Sequence, residues 1–278
     1  MRITLIGPGR AGLALALAAR TSGHEIAAVV ARRPDAAIEA ASRLGDPPSL
    51  TIGAELPPCD LLMLAVRDDA IGDVAKAIAP TAGAADAVVH LSGLVPVDEL
   101  APLAERDIAT GSFHPLQTIP TPAKGAERLA GAWIAITTRD EALRSRLGKL
   151  ATSLRARPFD LADDAKPVYH AAAAAAANFP LVALAMAADL FEAADVPFEA
   201  AAPLVRAVID NAFGIGPRSA LTGPVARGDV GTVEAQVRAV AGVSPEWLSS
   251  FRALVGELAL VTGRVEQFRH IVESEDRG

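Results

Sequence analysis

The chain has 278 residues, of which 51% are hydrophobic, and a formal net charge of -7 at pH 7. The negative charge disfavours nucleic acid as the main partner, because such a partner requires clustered cations. The single cysteine, Cys59, excludes an intrachain disulfide and is typical of a reducing cytoplasm.

The first predicted strand, residues 3–6, runs into a glycine turn and then a helix. Gly7, Gly9 and Gly12 have the G-x-G-x-x-G spacing that lets a backbone turn tightly, approach a pyrophosphate and pack a helix on a strand. Free N–H groups at the helix start favour phosphates. The alternative is a turn that only connects two elements. The residues that we expect to bind a dinucleotide here are Gly7, Pro8, Gly9, Arg10, Ala11 and Gly12.

The second predicted strand, residues 25–31, ends at Arg32 and Arg33. NAD-specific Rossmann proteins have an acidic residue at this position that binds the ribose 2′-hydroxyl. Here the first carboxylate is Asp35, and guanidinium groups pair well with a 2′-phosphate. We therefore expect NADP(H) as the cofactor, the alternative being two solvated arginines.

Further strands are predicted at residues 60–66, 87–91, 110–115, 133–137 and 156–160, with helices at 34–44 and 70–79 and at most one short strand within 46–58. This alternation predicts an α/β Rossmann-like, doubly wound parallel sheet, which binds ligands at the carboxyl ends of its strands. Four residues at such ends join the expected cofactor-binding set: Val66, Asp68, Ser92 and Gly93.

From residue 163 the pattern is helical, with stretches at 163–194, 197–213, 230–241 and 245–272. We therefore predict a Rossmann NADP-binding domain over residues 1–162 and an all-helical substrate and dimerisation domain over 163–278. Residues 171–188 are apolar enough to raise the question of a membrane span. Because Asn178 and Pro180 interrupt them, we expect a helix buried in protein, at a subunit interface, and no membrane. With no signal peptide ahead of the first strand, we expect a cytoplasmic protein.

The helix that starts near residue 163 carries several polar residues. Lys166 and His170 are four apart and share a face. Asn178 stands just before Pro180, which removes a backbone hydrogen bond and kinks a helix. Asn178 can either satisfy the carbonyl that the kink frees or hold a substrate carbonyl or the nicotinamide amide.

His114 falls at the end of a predicted strand, beside Phe113 and Pro115. A histidine that titrates near neutral pH can donate the proton that a ketone or imine needs as hydride arrives. The alternative is a histidine hydrogen-bonded in a core. The chain shows no Cys/His spacing typical of a metal site, so we expect no metal.

Several motifs occur together and in order: the Gly7–Gly12 turn, His90-Leu-Ser-Gly93, Gly111-Ser-Phe-His-Pro-Leu-Gln-Thr118, Tyr169-His-Ala-Ala172 leading to Asn178, and Leu221-Thr-Gly-Pro224 with Arg227-Gly-Asp229. In these motifs the whole chain resembles a bacterial family of predicted oxidoreductases that joins a Rossmann-like domain to a C-terminal helical domain of uncharacterised function. That family is similar in plan to ketopantoate reductases, pyrroline-5-carboxylate reductases and the phosphogluconate/β-hydroxyacid dehydrogenases.

The resemblance implies NADP-dependent reduction of a small carbonyl or imine, with a ketopantoate-like ketoacid as the first guess. It also implies a C-terminal domain like that of phosphogluconate dehydrogenase and a homodimer built through it. In ketopantoate reductases and β-hydroxyacid dehydrogenases, a lysine at the start of the interdomain helix acts as an acid, with an asparagine one turn later. Here His170 follows Lys166 by one turn, so the lysine–asparagine pair is not reproduced.

The sequence thus predicts an NADP(H)-dependent oxidoreductase with His170, His114, Asn178 and Lys166 as candidate catalytic residues, and His170 or His114 as the proton donor. The departure from the lysine–asparagine pair supports a second hypothesis, a catalytically silent NADP-binding sensor or regulatory protein. A third is that the nucleotide turn is vestigial and the helical domain carries the function.

Overall fold

A computed structural model describes residues 1–83 and 85–273. The chain divides into two compact units, Met1–Ala177 and Asn178–Gly278. The sequence prediction divides the domains at residues 162 and 163. By its contacts, the helix after that point belongs to the first unit.

The first unit is built on one sheet. Its strands in the described residues are β1 (Arg2–Ile6), β2 (Glu25–Ala31), β3 (Ser49–Thr51), β4 (Leu61–Leu64), β5 (Ala87–His90), β6 (Ala109–Leu116), β7 (Trp133–Thr138) and β8 (Arg157–Asp160). They lie in the order β3-β2-β1-β4-β5-β6-β7-β8. The chain therefore winds outward from β1 in both directions, which confirms the predicted doubly wound α/β class.

The first unit also contains α-helices, several of which cover the sheet. They are α1 (Arg10–Thr21), α2 (Pro34–Arg43), α3 (Ile71–Ile78), α4 (Ala101–Ala104), α5 (Pro122–Arg128), α6 (Glu141–Ser153) and α7 (Lys166–Ala177). One buried cluster joins α1, α2 and α6 to one face of the sheet and includes Leu15, Val29 and Phe113. A second joins α3 and α4 to the other face and includes Leu62 and Ile78. Burial on both faces explains the continuous apolar strands of the sequence.

One strand departs from the prediction of a wholly parallel sheet. β7 pairs with β6 in the antiparallel direction, with Leu116 opposite Trp133, whereas the other pairs are parallel. The connecting helix α5 does not return along the sheet. It packs on α1, so closely that a Cβ at Gly125 would lie 2.9 Å from Ala14 Cβ. β7 therefore starts at the edge where β6 ends.

The second unit is helical in its described part, with α8 (Phe179–Ala193), α9 (Ala201–Ile215), α10 (Pro224–Arg227), α11 (Val230–Val243), α12 (Leu248–Val261) and α13 (Val265–Val272). Its core is a cluster that includes Val233, Val255 and Phe268. The predicted helix over 245–272 is divided near Gly263, whose φ is +69°. A one-turn helix, α10, lies between the predicted helical stretches 197–213 and 230–241.

The apolar stretch around α7 and α8 differs from expectation. The helix is interrupted at Asn178, and Pro180 lies in the first turn of α8, where the sequence predicts a kink. Residues Asp163–Ala193 are nonetheless the one helical stretch in the described chain that is long and apolar enough to cross a membrane, with a mean hydropathy of 1.7, and only 6% of the tested window is buried. Most of these side chains are exposed in the described part of the single chain, and their burial at a subunit interface stays a prediction.

Candidate functional site

The glycine turn between β1 and α1 has the geometry that its spacing predicts. Gly7 has φ +84°, and its N–H donates to the carbonyl of Val30 over 2.9 Å. A Cβ at this position would lie 2.6 Å from Val66 Cγ1 and 2.9 Å from the carbonyl oxygen of Ala65. Both the backbone conformation and the available space therefore exclude a side chain.

Gly12 serves the packing of α1 on the sheet. A Cβ here would lie 2.5 Å from Ala65 Cβ and 2.9 Å from the carbonyl oxygen of Gly7. The N-cap of α1 is Gly9, whose backbone is extended and which has no side chain to accept the first N–H groups of the helix. Those N–H groups and the positive end of the helix dipole are thus available to an anion.

A cavity of about 440 Å³ opens in front of this turn, at the carboxyl ends of the strands. Of the predicted cofactor-binding residues, Gly9, Arg10, Ala11 and Val66 line it, and the candidate catalytic residue His114 lies in its wall. The complete lining is Gly9, Arg10, Ala11, Ala65, Val66, Arg67, Leu91, His114, Pro115, Gln117 and Ile119. One predicted catalytic residue, His114, therefore lies in the wall of the cavity next to the glycine turn.

The two arginines after β2 are both exposed but differ in their partners. Arg33 forms an ion pair with Asp35, with 3.0 Å between Nη2 and Oδ2. The guanidinium of Arg32 has no ion pair or hydrogen bond within residues 1–83 and 85–273. Arg32 is therefore the freer of the two cations for a phosphate.

His114 is held from two sides. Its Nδ1 shares a hydrogen bond of 2.8 Å with the Tyr169 hydroxyl, and the two rings meet edge to face at 5.5 Å. The Tyr169 ring also contacts Phe159, at 6.0 Å between centroids. On the other side a Cβ at Gly93 would lie within 2.8 to 2.9 Å of three imidazole atoms. Gly93 thus leaves the space in which the His114 ring lies.

The environment of His114 disfavours its charged form. Burial and the neighbouring His170 and Lys166 lower its pKa, the charge of Asp68 opposes them, and the resulting pKa is about 4. The His170 ring lies 6.3 Å from the His114 ring, and its buried Nδ1 has no hydrogen-bond partner among the described residues. His114 is therefore a neutral imidazole at pH 7, able to donate a hydrogen bond from one nitrogen.

The Ser92 side chain stabilises the turn that follows β5. Its hydroxyl accepts hydrogen bonds from the N–H groups of Leu94 and Val95, at 3.1 and 3.0 Å, and its own N–H donates to Nδ1 of the buried His90. Burial lowers the pKa of His90 to about 3, so that this nitrogen stays an acceptor. The motif His90 to Gly93 therefore builds a turn against which His114 packs, and both acceptor positions of the Ser92 hydroxyl are already used.

Lys166 is only 1% exposed and is held by two partners. Its Nζ donates to the carbonyl of Val95 over 2.7 Å and forms an ion pair with Asp163 at 2.9 Å. Both carboxylate oxygens of Asp163 accept from the N–H of Val97 at 3.1 Å. This arrangement fastens the start of α7 to the turn after β5 and leaves the amine buried in the protein. Burial also lowers the pKa of Lys166.

The remaining predicted residues lie elsewhere. Asp68 is exposed in a short 3₁₀ helix after β4 and acts on His114 through its charge. Asn178 is exposed and belongs to the second unit, at the N-cap of α8, where its side chain forms no capping hydrogen bond. Pro8 lies within the glycine turn itself, between Gly7 and Gly9.

Sequence reasoning missed Tyr169 as a site residue and Asp163 as the partner of Lys166. The usable signal for Asp163 was its spacing of three from Lys166, typical of helical ion pairs. Tyr169 and His170 are adjacent in sequence, so their side chains leave α7 in different directions. That both rings contact the His114 ring is seen only in the folded structure.

Two family models match the sequence. Residues 1–115 match a Rossmann-like domain, and residues 132–257 match a domain of unknown function, DUF2520. The chain thus combines a Rossmann-like N-terminal domain with a DUF2520 C-terminal domain, as the resemblance predicts. No curated protein matches the sequence significantly.

Solved structures share this fold over nearly the whole chain. An inferred NADP oxidoreductase from Bacteroides fragilis has a TM-score of 0.77 at 24% identity, covering 92% of this chain and 97% of that one. An imine reductase from Streptomyces aurantiacus has a TM-score of 0.65 at 18% identity, covering 98% and 99%. A reductive aminase from Aspergillus terreus, solved with NADPH and ethyl-5-oxohexanoate, has a TM-score of 0.63 at 17% identity, covering 96% and 99%. At these identities the likeness establishes the fold.

Proposed function

We propose that this protein is an NADP(H)-dependent oxidoreductase that transfers hydride between the nicotinamide cofactor and a small carbonyl or imine substrate. The observation that carries the proposal is the cavity that starts at the glycine turn and has His114 in its wall. The fold neighbours that act on imines, or were solved with NADPH, support the same class.

The residues of the turn fit a dinucleotide. The backbone of Gly7 to Gly12 is free of side chains where a pyrophosphate would approach, and the N–H groups of α1 would bind its oxygens. Arg32 and Arg33 would bind the 2′-phosphate. When bound, the cofactor supplies the hydride.

At the other end of the cavity His114 would act on the substrate. A neutral imidazole can donate a hydrogen bond to a carbonyl oxygen or an imine nitrogen and stabilise the negative charge that develops there. His170, 6.3 Å from it, extends the same polar surface. A ketopantoate-like ketoacid remains the first substrate to test.

The decisive experiment is a titration of the purified protein with NADPH and with NADH, followed by nicotinamide fluorescence and by thermal stability. Binding to the folded state alone stabilises it by RT ln(1 + [L]/Kd), so a genuine site raises Tm. We expect a preference for NADPH that is lost in the Arg32→Ala/Arg33→Ala variant. No response to either nucleotide would overturn the proposal.

We further propose that the protein is a homodimer built through the helical region. Large apolar side chains are exposed along α8 and α9 of the second unit, including Leu181 at 63%, Leu204 at 63% and Phe213 at 90%. Exposed apolar surface on this scale marks an interaction site. A second copy of the chain would cover it.

Sedimentation velocity at micromolar concentration tests this. We expect a dimer, and we expect Leu204→Asp/Phe213→Asp to sediment as a monomer. Ile38→Asp makes the same change at an exposed position on α2 and should leave the dimer intact. A wild-type monomer that remains soluble without detergent would refute the dimer, and one that requires detergent would favour a membrane surface.

One observation favours the alternative of a silent NADP-binding protein: Lys166 is buried in an ion pair instead of facing a substrate. A binding protein would respond to NADPH in the titration and yet consume none with any member of a panel of ketoacids, ketones and cyclic imines. Turnover of one panel member would exclude it.

A further inference from the structure

We propose that Tyr169 is a positioning residue that fixes His114 as the Nε2–H tautomer, so that the site offers a hydrogen-bond donor and selects a carbonyl substrate over a protonated iminium. This rests on the proposed function, which leaves the carbonyl and the imine open. It is carried by the contact of 2.8 Å between the Tyr169 hydroxyl and His114 Nδ1.

The direction of this hydrogen bond follows from the chemistry of the two groups. A phenol is a strong donor and a weak acceptor, because its oxygen lone pair is delocalised into the ring. A neutral imidazole offers one strong acceptor nitrogen. Burial also raises the pKa of Tyr169 to about 12, so the hydroxyl keeps its proton at neutral pH. Tyr169 therefore donates to Nδ1, and Nε2 carries the imidazole proton.

The neighbouring charges keep His114 neutral. His170 and Lys166 on α7 oppose a proton on the ring, and so does burial, whereas Asp68 favours one. His90, on the next strand, stays neutral itself. A neutral ring whose Nδ1 already accepts a hydrogen bond can only donate from Nε2.

A donor discriminates between the two substrate classes. A carbonyl oxygen accepts a hydrogen bond, whereas an iminium nitrogen carries its own proton or alkyl group and has no lone pair to accept one. In the carbonyl case, the Nε2 proton would pass to the substrate oxygen as the carbonyl carbon gains one hydride, whose two electrons the nicotinamide cofactor would supply. The Tyr169 proton passes to Nδ1, which keeps the imidazole neutral, and water returns a proton to the phenolate.

The hydroxyl can be removed with little change to the packing. Tyr169→Phe keeps the ring that contacts His114 and Phe159 edge to face. It is therefore the matched variant for the hydrogen bond, and Phe159→Leu is the control that disturbs the ring contacts but keeps the hydroxyl. The chain has one tyrosine, so no other phenol can replace it.

The first measurement is nitrogen NMR of the cofactor-free protein with labelled histidine, with the His114 signals assigned from a His114→Asn variant. We expect a protonated Nε2 and an acceptor Nδ1 at pH 7. In Tyr169→Phe the Nδ1 signal should shift and the His114 pKa should rise, because a hydrogen bond to the neutral form is lost. Protonation at Nδ1 in the wild type would overturn the proposal and make Nε2 an acceptor suited to an iminium.

The second measurement uses the substrate panel with NADPH. We expect carbonyl turnover, with kcat reduced by at least about tenfold in Tyr169→Phe, KM little changed and the acid limb of the pH profile displaced. Turnover of preformed iminium ions alone, or an unchanged kcat and pH profile in Tyr169→Phe, would refute the assignment. Because the NMR result requires neither cofactor nor substrate, failure of the proposed function and failure of this inference are distinguishable.

Discussion

The imidazole of His114 lies against the backbone of Gly93, so that a Cβ on Gly93 would come within 2.8 Å of His114 Cε1. The backbone at Gly93 is outside the left-handed region, so alanine meets no conformational obstacle there. Space for the ring is therefore the reason for glycine at this position.

Gly93→Ala should displace His114 while the protein still folds. Overpacking of this kind costs about 1–3 kcal/mol, and we expect a correspondingly lower Tm together with loss of the hydrogen bond to Tyr169. The measurements are thermal unfolding and the His114 NMR signals. Gly148→Ala, in α6 with open space around it, is the control and should be neutral or stabilising. An unshifted His114 signal in Gly93→Ala would contradict the packing argument.

Acid should destabilise the first unit through its buried histidines. The folded-state pKa values of His90, about 3, and His114, about 4, lie below the ordinary value of 6.5, so the unfolded chain binds more protons. Stability is therefore complete above about pH 6.5 and is lost as the pH falls through these values.

For His114 the full loss is on the order of 3 kcal/mol. Urea unfolding between pH 7 and pH 4 measures it, and His114→Asn should have a smaller pH slope than the wild type. Equal slopes in the two proteins would show that His114 is not buried in its neutral form.

The two arginines after β2 should contribute unequally to NADPH binding. Because Arg33 already pairs with Asp35, Arg32→Ala should weaken binding more than Arg33→Ala does. One charge-assisted interaction of about 1.5–3 kcal/mol corresponds to roughly 10- to 100-fold in Kd for NADPH. The affinity for NADH, which lacks the 2′-phosphate, should change little. Equal effects on both nucleotides would exclude a 2′-phosphate role.

Lys166 should prove necessary for stability. Lys166→Met leaves Asp163 without its cation, and removal of one partner of a buried pair costs about 3–5 kcal/mol. The double variant Lys166→Met/Asp163→Asn should lose less than the sum of the two single variants, because neither charge is then left unpaired. Denaturant unfolding of the wild type, the two single variants and the double variant gives the four free energies of unfolding that this comparison requires. If Lys166→Met unfolds like the wild type but abolishes turnover, Lys166 is a catalytic residue, as the sequence predicts, and not a structural cation.

Local patterns predicted much of this architecture. The glycine turn, the apolar strands and the helical second half are properties of short segments, and the fold confirms them. The antiparallel direction of β7 depends on where α5 packs, which residues 117–132 do not encode in any repeating pattern. Val95, which accepts from Lys166, and Tyr169, which contacts His114, come from distant segments, so the roles of Lys166 as a structural cation and of His114 as a tyrosine-bound imidazole required tertiary contacts.

The DUF2520 match begins close to β7, and the two family matches do not correspond to segments that can each fold alone. The DUF2520 match starts at residue 132, so it contains β7, α6 and β8, while Phe113 of the other match shares a buried cluster with Ile134 and Leu147. If the chain were divided at that boundary, each piece would expose half of one apolar core. We expect the two segments to be insoluble when produced separately and to be inherited together as a single piece.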